Sequence, residues 1–142
     1  MRLAAILLAL FALTACGSRS TASPTDVVRA WSAALDRNDN EAAGSLFARG
    51  AQVIQGGGLT ILPTHAAAVE WNSLLPCGGK ITSLELRGKQ LVLVVFKLSD
   101  RPGHRCDAPG GETAALFEVQ HGKIVVWHQT DVPTTPPAGL IV

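Results

Sequence analysis

The sequence has no tyrosine, and only four phenylalanines and three tryptophans supply aromatic rings. Any site that relies on a phenol as acid, nucleophile or oxyanion donor is therefore excluded. Charge is scarce as well: 16% of residues are Asp, Glu, Lys or Arg, and the formal net charge is +1. With 12 basic against 11 acidic residues and no basic stripe, the chain lacks the electrostatic footprint of a nucleic-acid partner. No apolar run approaches the roughly 20 residues of a membrane-crossing helix. The paired Cys-x-x-Cys or His-x-x-x-His spacing of zinc sites is missing. Gly56-Gly57-Gly58 lacks the spacing and the following lysine of a phosphate-binding loop. There is no internal repeat, and nothing in the composition implies a metal or cofactor.

What is present begins at the N-terminus. Arg2 precedes an apolar run, Leu3 to Leu13, of about eleven residues, the length of an export-signal core. It ends in Leu13-Thr14-Ala15-Cys16-Gly17, which resembles the lipobox of bacterial lipoproteins. The resemblance implies cleavage after Ala15 and lipidation of Cys16, with an ordinary signal cut nearby or a plain hydrophobic anchor as the alternatives. Residues 1–15 are then a signal peptide and 16–23 a small, polar, lipidated tether. The expected place is the cell envelope, exported and lipid-anchored on a periplasmic or outer face. Acyl chains on Cys16 anchor through about 0.8 kcal/mol per buried methylene. Loss of the signal removes Arg2 alone, so 12 basic residues become 11 against 11 acidic, and the mature chain cannot hold a membrane by charge.

Of three cysteines, a lipidated Cys16 leaves Cys77 and Cys106, an even pair in an oxidising compartment. They are expected to form a disulfide joining the end of a helix to the loop between two strands. His104, two residues before Cys106, offers a metal alternative, without the paired spacing such sites use.

Ser23 and Pro24 open a first helix with Val27, Val28, Trp31, Ala34 and Leu35 on one face, ending near Arg37. Asn38 and Glu41 read as a capping box for a short second helix with Ala42, Ala43, Leu46 and Phe47 inside, stopped by Gly50. Ala51–Gln55 and Leu59–Leu62 are short extended pieces. Thr64 caps a third helix whose Ala68, Trp71, Leu74 and Leu75 share a face, stopped by Pro76 and two glycines. From Lys80 the period becomes two. Strands are predicted over Ile81–Arg87, Gln90–Leu98, Thr113–Gln120 and Lys123–Thr130, an antiparallel meander. The second of them is apolar on both faces, as in a covered sheet. Residues 132–142 form a proline-rich tail.

Helices followed by a meander give an α+β domain. The order resembles the nuclear transport factor 2-like superfamily, which includes SnoaL-like proteins. It is carried by Asn38-Asp39-Asn40-Glu41, by Gly50-Ala51-Gln52-Val53 and by Gly122-Lys123-Ile124-Val125-Val126-Trp127, across residues 24–131. The resemblance implies a cone-shaped fold, three N-terminal helices packed on a curved antiparallel sheet around a pocket. That superfamily holds isomerases, dehydratases, epoxide hydrolases and non-catalytic modules, so fold does not choose function. Its isomerase- and dehydratase-like sites depend on tyrosines that this chain lacks. Its epoxide-hydrolase sites need an Asp-Arg-Asp cluster from neighbouring strands, whereas Asp100 and Arg101 are adjacent in a loop.

Three residues are candidate acid–base groups. His128 alternates with Ile124 and Val126 on the last strand and is expected to face the interior, unless it is a strand-end histidine bound to backbone or water. Glu118 shares a strand face with Ala114 and Leu116, and Asp100 is the remaining carboxylate. Trp31, Trp71, Phe96 and Trp127 are expected to line a pocket or fill the core. The positively charged run Arg101-Pro102-Gly103-His104-Arg105 reads as a solvated loop, with contact to an anionic ligand or a partner as the alternative. The expected function is a non-catalytic module binding a small apolar ligand or a partner. The alternatives are a SnoaL-like hydrolase or isomerase of a small apolar substrate, and a homodimerising structural module.

Overall fold

A computed structural model describes residues 21–134, so the signal segment, Cys16 and most of the tail lie outside the described residues. The first helix, α1 (Pro24–Asp36), begins as its sequence dictates. Ser23 is extended, its Oγ accepts the Asp26 N–H at 3.2 Å, and proline occupies the first turn. Its apolar stripe Val27, Val28, Trp31, Ala34 and Leu35 is buried.

The second helix differs from expectation. α2 (Asn40–Ser45) is capped by Asp39, whose carboxylate accepts the Ala42 N–H at 3.0 Å. Asn38 does not cap it, because its backbone is left-handed (φ 57°) and closes the turn after α1. Leu46 ends the helix, and Phe47 already belongs to β1 (Phe47–Gln55). Gly50, expected as a helix stop, lies inside β1 with φ 78°, where the pairing with the last strand is interrupted between Phe47 and Gln52. A bulge of this kind needs a residue without a Cβ penalty.

β2 (Gly58–Leu62) returns along β1, and α3 (His65–Leu74) follows, capped by Thr64 accepting the Ala67 N–H at 3.1 Å. Ala68 and Asn72 are its buried residues, while Leu74 is 73% exposed, off the face assigned to it. Then come β3 (Gly78–Arg87), β4 (Leu91–Ser99), β5 (Glu112–Gln120) and β6 (Lys123–Thr130). The sheet order is β2-β1-β6-β5-β4-β3. The meander from β3 to β6 is antiparallel as predicted, but β1 joins β6 in parallel, which makes the sheet mixed.

One face of the sheet carries the core. Val53, Val92, Val94, Phe117 and Ile124 pack there against Val27, Val28 and Trp31 of α1. Trp31 is its hub: its ring meets Phe117 at 5.2 Å and Phe96 at 6.1 Å, both edge-on, and its indole N–H donates to Asn72 Oδ1 at 2.8 Å. β4 is apolar on both faces, yet the helix-packed core takes up only alternate residues, Val92, Val94 and Phe96, with Leu98 packed at its edge. Leu93 and Val95 alternate with them and face the other side.

Two tethers fix the β4–β5 loop. The Cys77–Cys106 disulfide forms as expected, with Cα atoms 4.4 Å apart and its ends 29 positions apart in sequence. Closing a loop of that length contributes about 3–4 kcal/mol in the chain-entropy account. The second tether is Arg101, read from the sequence as solvated but only 3% exposed. Its Nη2 donates to Asn38 Oδ1 and Asn40 Oδ1, each at 2.6 Å, and Nη1 donates to the Asn72 carbonyl at 3.1 Å. Burial lowers the Arg101 pKa, and the Asp36 carboxylate partly offsets this.

Replacing Arg101 with Met keeps the length of the side chain and removes all three donations. Asn38, Asn40 and the Asn72 carbonyl then lose their donor, and the fold should be destabilised by about 2–4 kcal/mol. A urea-unfolding midpoint equal to that of the unmodified protein would show that Arg101 is not a tether.

Candidate ligand cavity

Between α1, the segment leading into β3 and the helix-packed sheet face lies a cavity of about 160 Å³. Trp31 and Leu35 reach it from α1, Phe96 and Leu98 from β4, Ala115 from β5 and Trp127 from β6, forming an apolar floor. Leu75 to Gly79, including the bridged Cys77, make one wall. The backbone there must run close to α1: a Cβ on Gly78 would stand 2.4 Å from Asp36 Oδ1. Asp36 instead accepts the Gly79 N–H at 2.7 Å, pinning the wall to the end of α1.

The polar groups at the cavity are Ser32, Gln55, Thr113, Gln129 and Asp107. Gln129 donates through Nε2 to Thr113 Oγ1 at 3.3 Å, so its carbonyl oxygen is left for another partner. Ser32 makes only a long contact with the Gly79 carbonyl, 3.4 Å. Asp107 is exposed, with Oδ1 3.2 Å from Cys77 Sγ. A bridged sulfur carries no proton, so this is a packing contact. For the same reason Cys77, Cys106 and Asp107, though close together, offer no thiolate to a metal.

Three of the four predicted pocket residues, Trp31, Phe96 and Trp127, line the cavity. Trp71 does not. Its ring packs 5.0 Å from Trp127 and 5.6 Å from Phe47, and its outer side borders a shallow groove beside β2. The Trp127 indole N–H is buried without an acceptor among the described residues.

His128 is on the wrong side of the sheet for the expected role. Trp127 and Gln129 line the cavity, so His128 between them points away, level with Ile54 on β1 and Leu116 on β5. The cause is a bulge in β6. Val119 and Glu118 of β5 are consecutive but pair with Ile124 and Val126, which leaves Val125 as an extra residue. Counting by twos from Ile124 then gives the wrong face. Glu118 does share a face with Ala114 and Leu116, and that face is also the one away from the cavity. It is half-buried and accepts from Gln120 Nε2 at 2.6 Å. Asp100 is exposed and accepts the Cys106 N–H at 2.8 Å, bracing the disulfide loop. The three acid–base candidates are therefore not brought together, and none lines the cavity.

Sequence reasoning missed Gln55, Thr113, Gln129 and Asp107. Gln129 carried a usable signal, since it sits two residues beyond Trp127 on the same strand. Asp107 was marked only by adjacency to a bridging cysteine.

No protein-family model matches the sequence, and no curated protein does either. Solved structures do match in shape. A protein of unknown function from Cytophaga hutchinsonii, described as NTF2-like, superposes with a TM-score of 0.63 at 12% identity, covering 79% of this chain and 92% of its own. A proposed polyketide cyclase from Sinorhizobium meliloti gives 0.61 at 20% identity, covering 74% and 94%. A protein with a ketosteroid isomerase-like fold from Catenulispora acidiphila, solved in complex with trimethylamine, gives 0.56 at 17%, covering 77% and 86%. At such identities the likeness speaks for architecture alone, and the architecture of this chain is the nuclear transport factor 2-like fold.

Proposed function

We propose that this is an exported, lipid-anchored module that binds a small ligand in its cone without transforming it. The observation that carries this reading is the cavity itself, an aromatic floor with a rim of amides and hydroxyls, the usual composition of a small-molecule pocket. Binding is favoured over catalysis because His128 and Glu118 belong to the opposite sheet face and Asp100 is spent on the disulfide loop. The Catenulispora neighbour was solved in complex with trimethylamine, a molecule of the small size this reading supposes. Anchoring rests on the Cys16 motif and export on the signal run before it.

A second reading, compatible with the first, is self-association through the sheet face that the helices leave uncovered. Register places Leu59, Ile54, His128, Leu116 and Leu93 in one row across five strands of that face. A largely apolar row of this kind is suited to meeting a second copy.

Native mass spectrometry on protein made in an oxidising compartment should reveal a bound mass that leaves on collisional activation. In Ala115→Leu the added side chain projects into the cavity, and the bound mass should vanish while the thermal midpoint holds or rises. An Ala115→Leu protein that keeps the same adduct would place the ligand elsewhere. Cys16→Ser should move the protein from the membrane fraction to the soluble fraction, and unchanged membrane retention would refute the lipid anchor. For the second reading, sedimentation should show a mass rising with concentration, which Leu116→Asp abolishes; a monomer throughout would end it.

A further inference from the structure

We propose, resting on the ligand-binding reading above, that the cavity selects a small organic cation, an ammonium group carried on a compact apolar body. The lining decides the sign. Among its sixteen residues Asp107 alone is ionisable in the folded protein, and no Lys, Arg or His joins it. Directly behind the wall at Gly78 and Gly79 stand Asp36 and Arg101, one charge of each sign. The Arg101 guanidinium is moreover turned to Asn38, Asn40 and the Asn72 carbonyl. An anion would therefore meet a carboxylate and electron-rich ring faces, with no cation to receive it.

The floor points the same way. Trp31, Phe96 and Trp127 arrive from three different elements. Trp31 lies 6.1 Å from Phe96 at an interplanar angle of 70° and 6.4 Å from Trp127 at 56°. These are edge-to-face and tilted contacts of packed rings, and all three residues also line the cavity. An aromatic ring attracts a cation lying within about 6 Å of its centroid. A neutral apolar ligand would gain the burial but nothing from the exposed Asp107 carboxylate, which would keep its water. Asp107 is thus the residue that sets specificity, and the ring faces supply the second attraction. Gln55, Thr113 and Gln129 can receive a hydroxyl or carbonyl on the apolar body.

The test compares charge at constant shape. The exported protein is titrated by calorimetry with choline and with 3,3-dimethylbutan-1-ol, its neutral carbon isostere, at fixed ionic strength. Choline should bind at least about tenfold more tightly than the alcohol. Asp107→Asn should shrink that ratio by about threefold to fivefold, the range of a solvent-exposed ion pair. Phe96→Leu, which keeps an apolar side chain but removes one ring, should also shrink it. Equal affinity for the two ligands, or preference for the alcohol, overturns the cation inference and leaves the ligand-binding reading intact. If neither binds while an uncharged environment-sensitive dye is still displaced by filling the cavity in Ala115→Leu, the cation inference fails alone. If the dye does not bind either, both readings fail.

Discussion

A single buried guanidinium holds the cone in register. Arg101 reaches the α1–α2 turn through Asn38 and Asn40 and the end of α3 through the Asn72 carbonyl. No carboxylate lies within salt-bridge distance of it among the described residues. A charge so placed is expensive to desolvate, which is why its pKa falls, and it is tolerated because neutral acceptors surround it. Such a group is unforgiving of displacement: moving any of the three segments strands a charge or an acceptor. Its value therefore lies more in fixing one arrangement than in net stabilisation. Asn72 extends the connection inward, since its side chain accepts the Trp31 indole N–H and donates to the Ala68 carbonyl at 2.8 Å. A polar path thus runs from the β4–β5 loop to the centre of the aromatic core.

The disulfide works on the same loop from the other side. Arg101 and Cys106 bracket the turn formed by Pro102 and Gly103, where the His104 N–H donates to the Arg101 carbonyl at 2.9 Å. Between them they tie the start of β3, the end of α3 and the α1–α2 turn to one hairpin. Of these, the start of β3 and the segment that leads to it from α3 form one wall of the cavity. Rigidity at the mouth is consequently a by-product of how the loop is secured, and a preformed cavity loses less ordering entropy when something enters it.

How far the sequence could be read depended on whether a feature was local. α1 follows from a cap, a proline and a clean apolar stripe, and β6 was predicted with its observed bounds, Lys123–Thr130, from alternation between two turns. The disulfide followed from counting cysteines once Cys16 was set aside. What escaped was set by tertiary contacts. Leu46 and Phe47 suit a helix face by spacing, but parallel pairing with β6 draws Phe47 into a strand, opposite Ile124. The side occupied by His128 turned on one extra residue, Val125, and a bulge has no sequence signature strong enough to announce it. Arg101 looked like one charge in a polar loop because nothing local shows that Asn38, Asn40 and Asn72 converge on it.

That last failure bears on function. From sequence, the basic run around Arg101 read as a solvated loop that could also meet an anion. Folding turns Arg101 inward as scaffold and brings Asp107, from the far end of the same loop, to the cavity. The charge at the cavity is thereby negative, where the loop as read in one dimension is positive. Site chemistry in a cone of this kind depends on which end of a hairpin faces in, and here one arginine and one disulfide decide that.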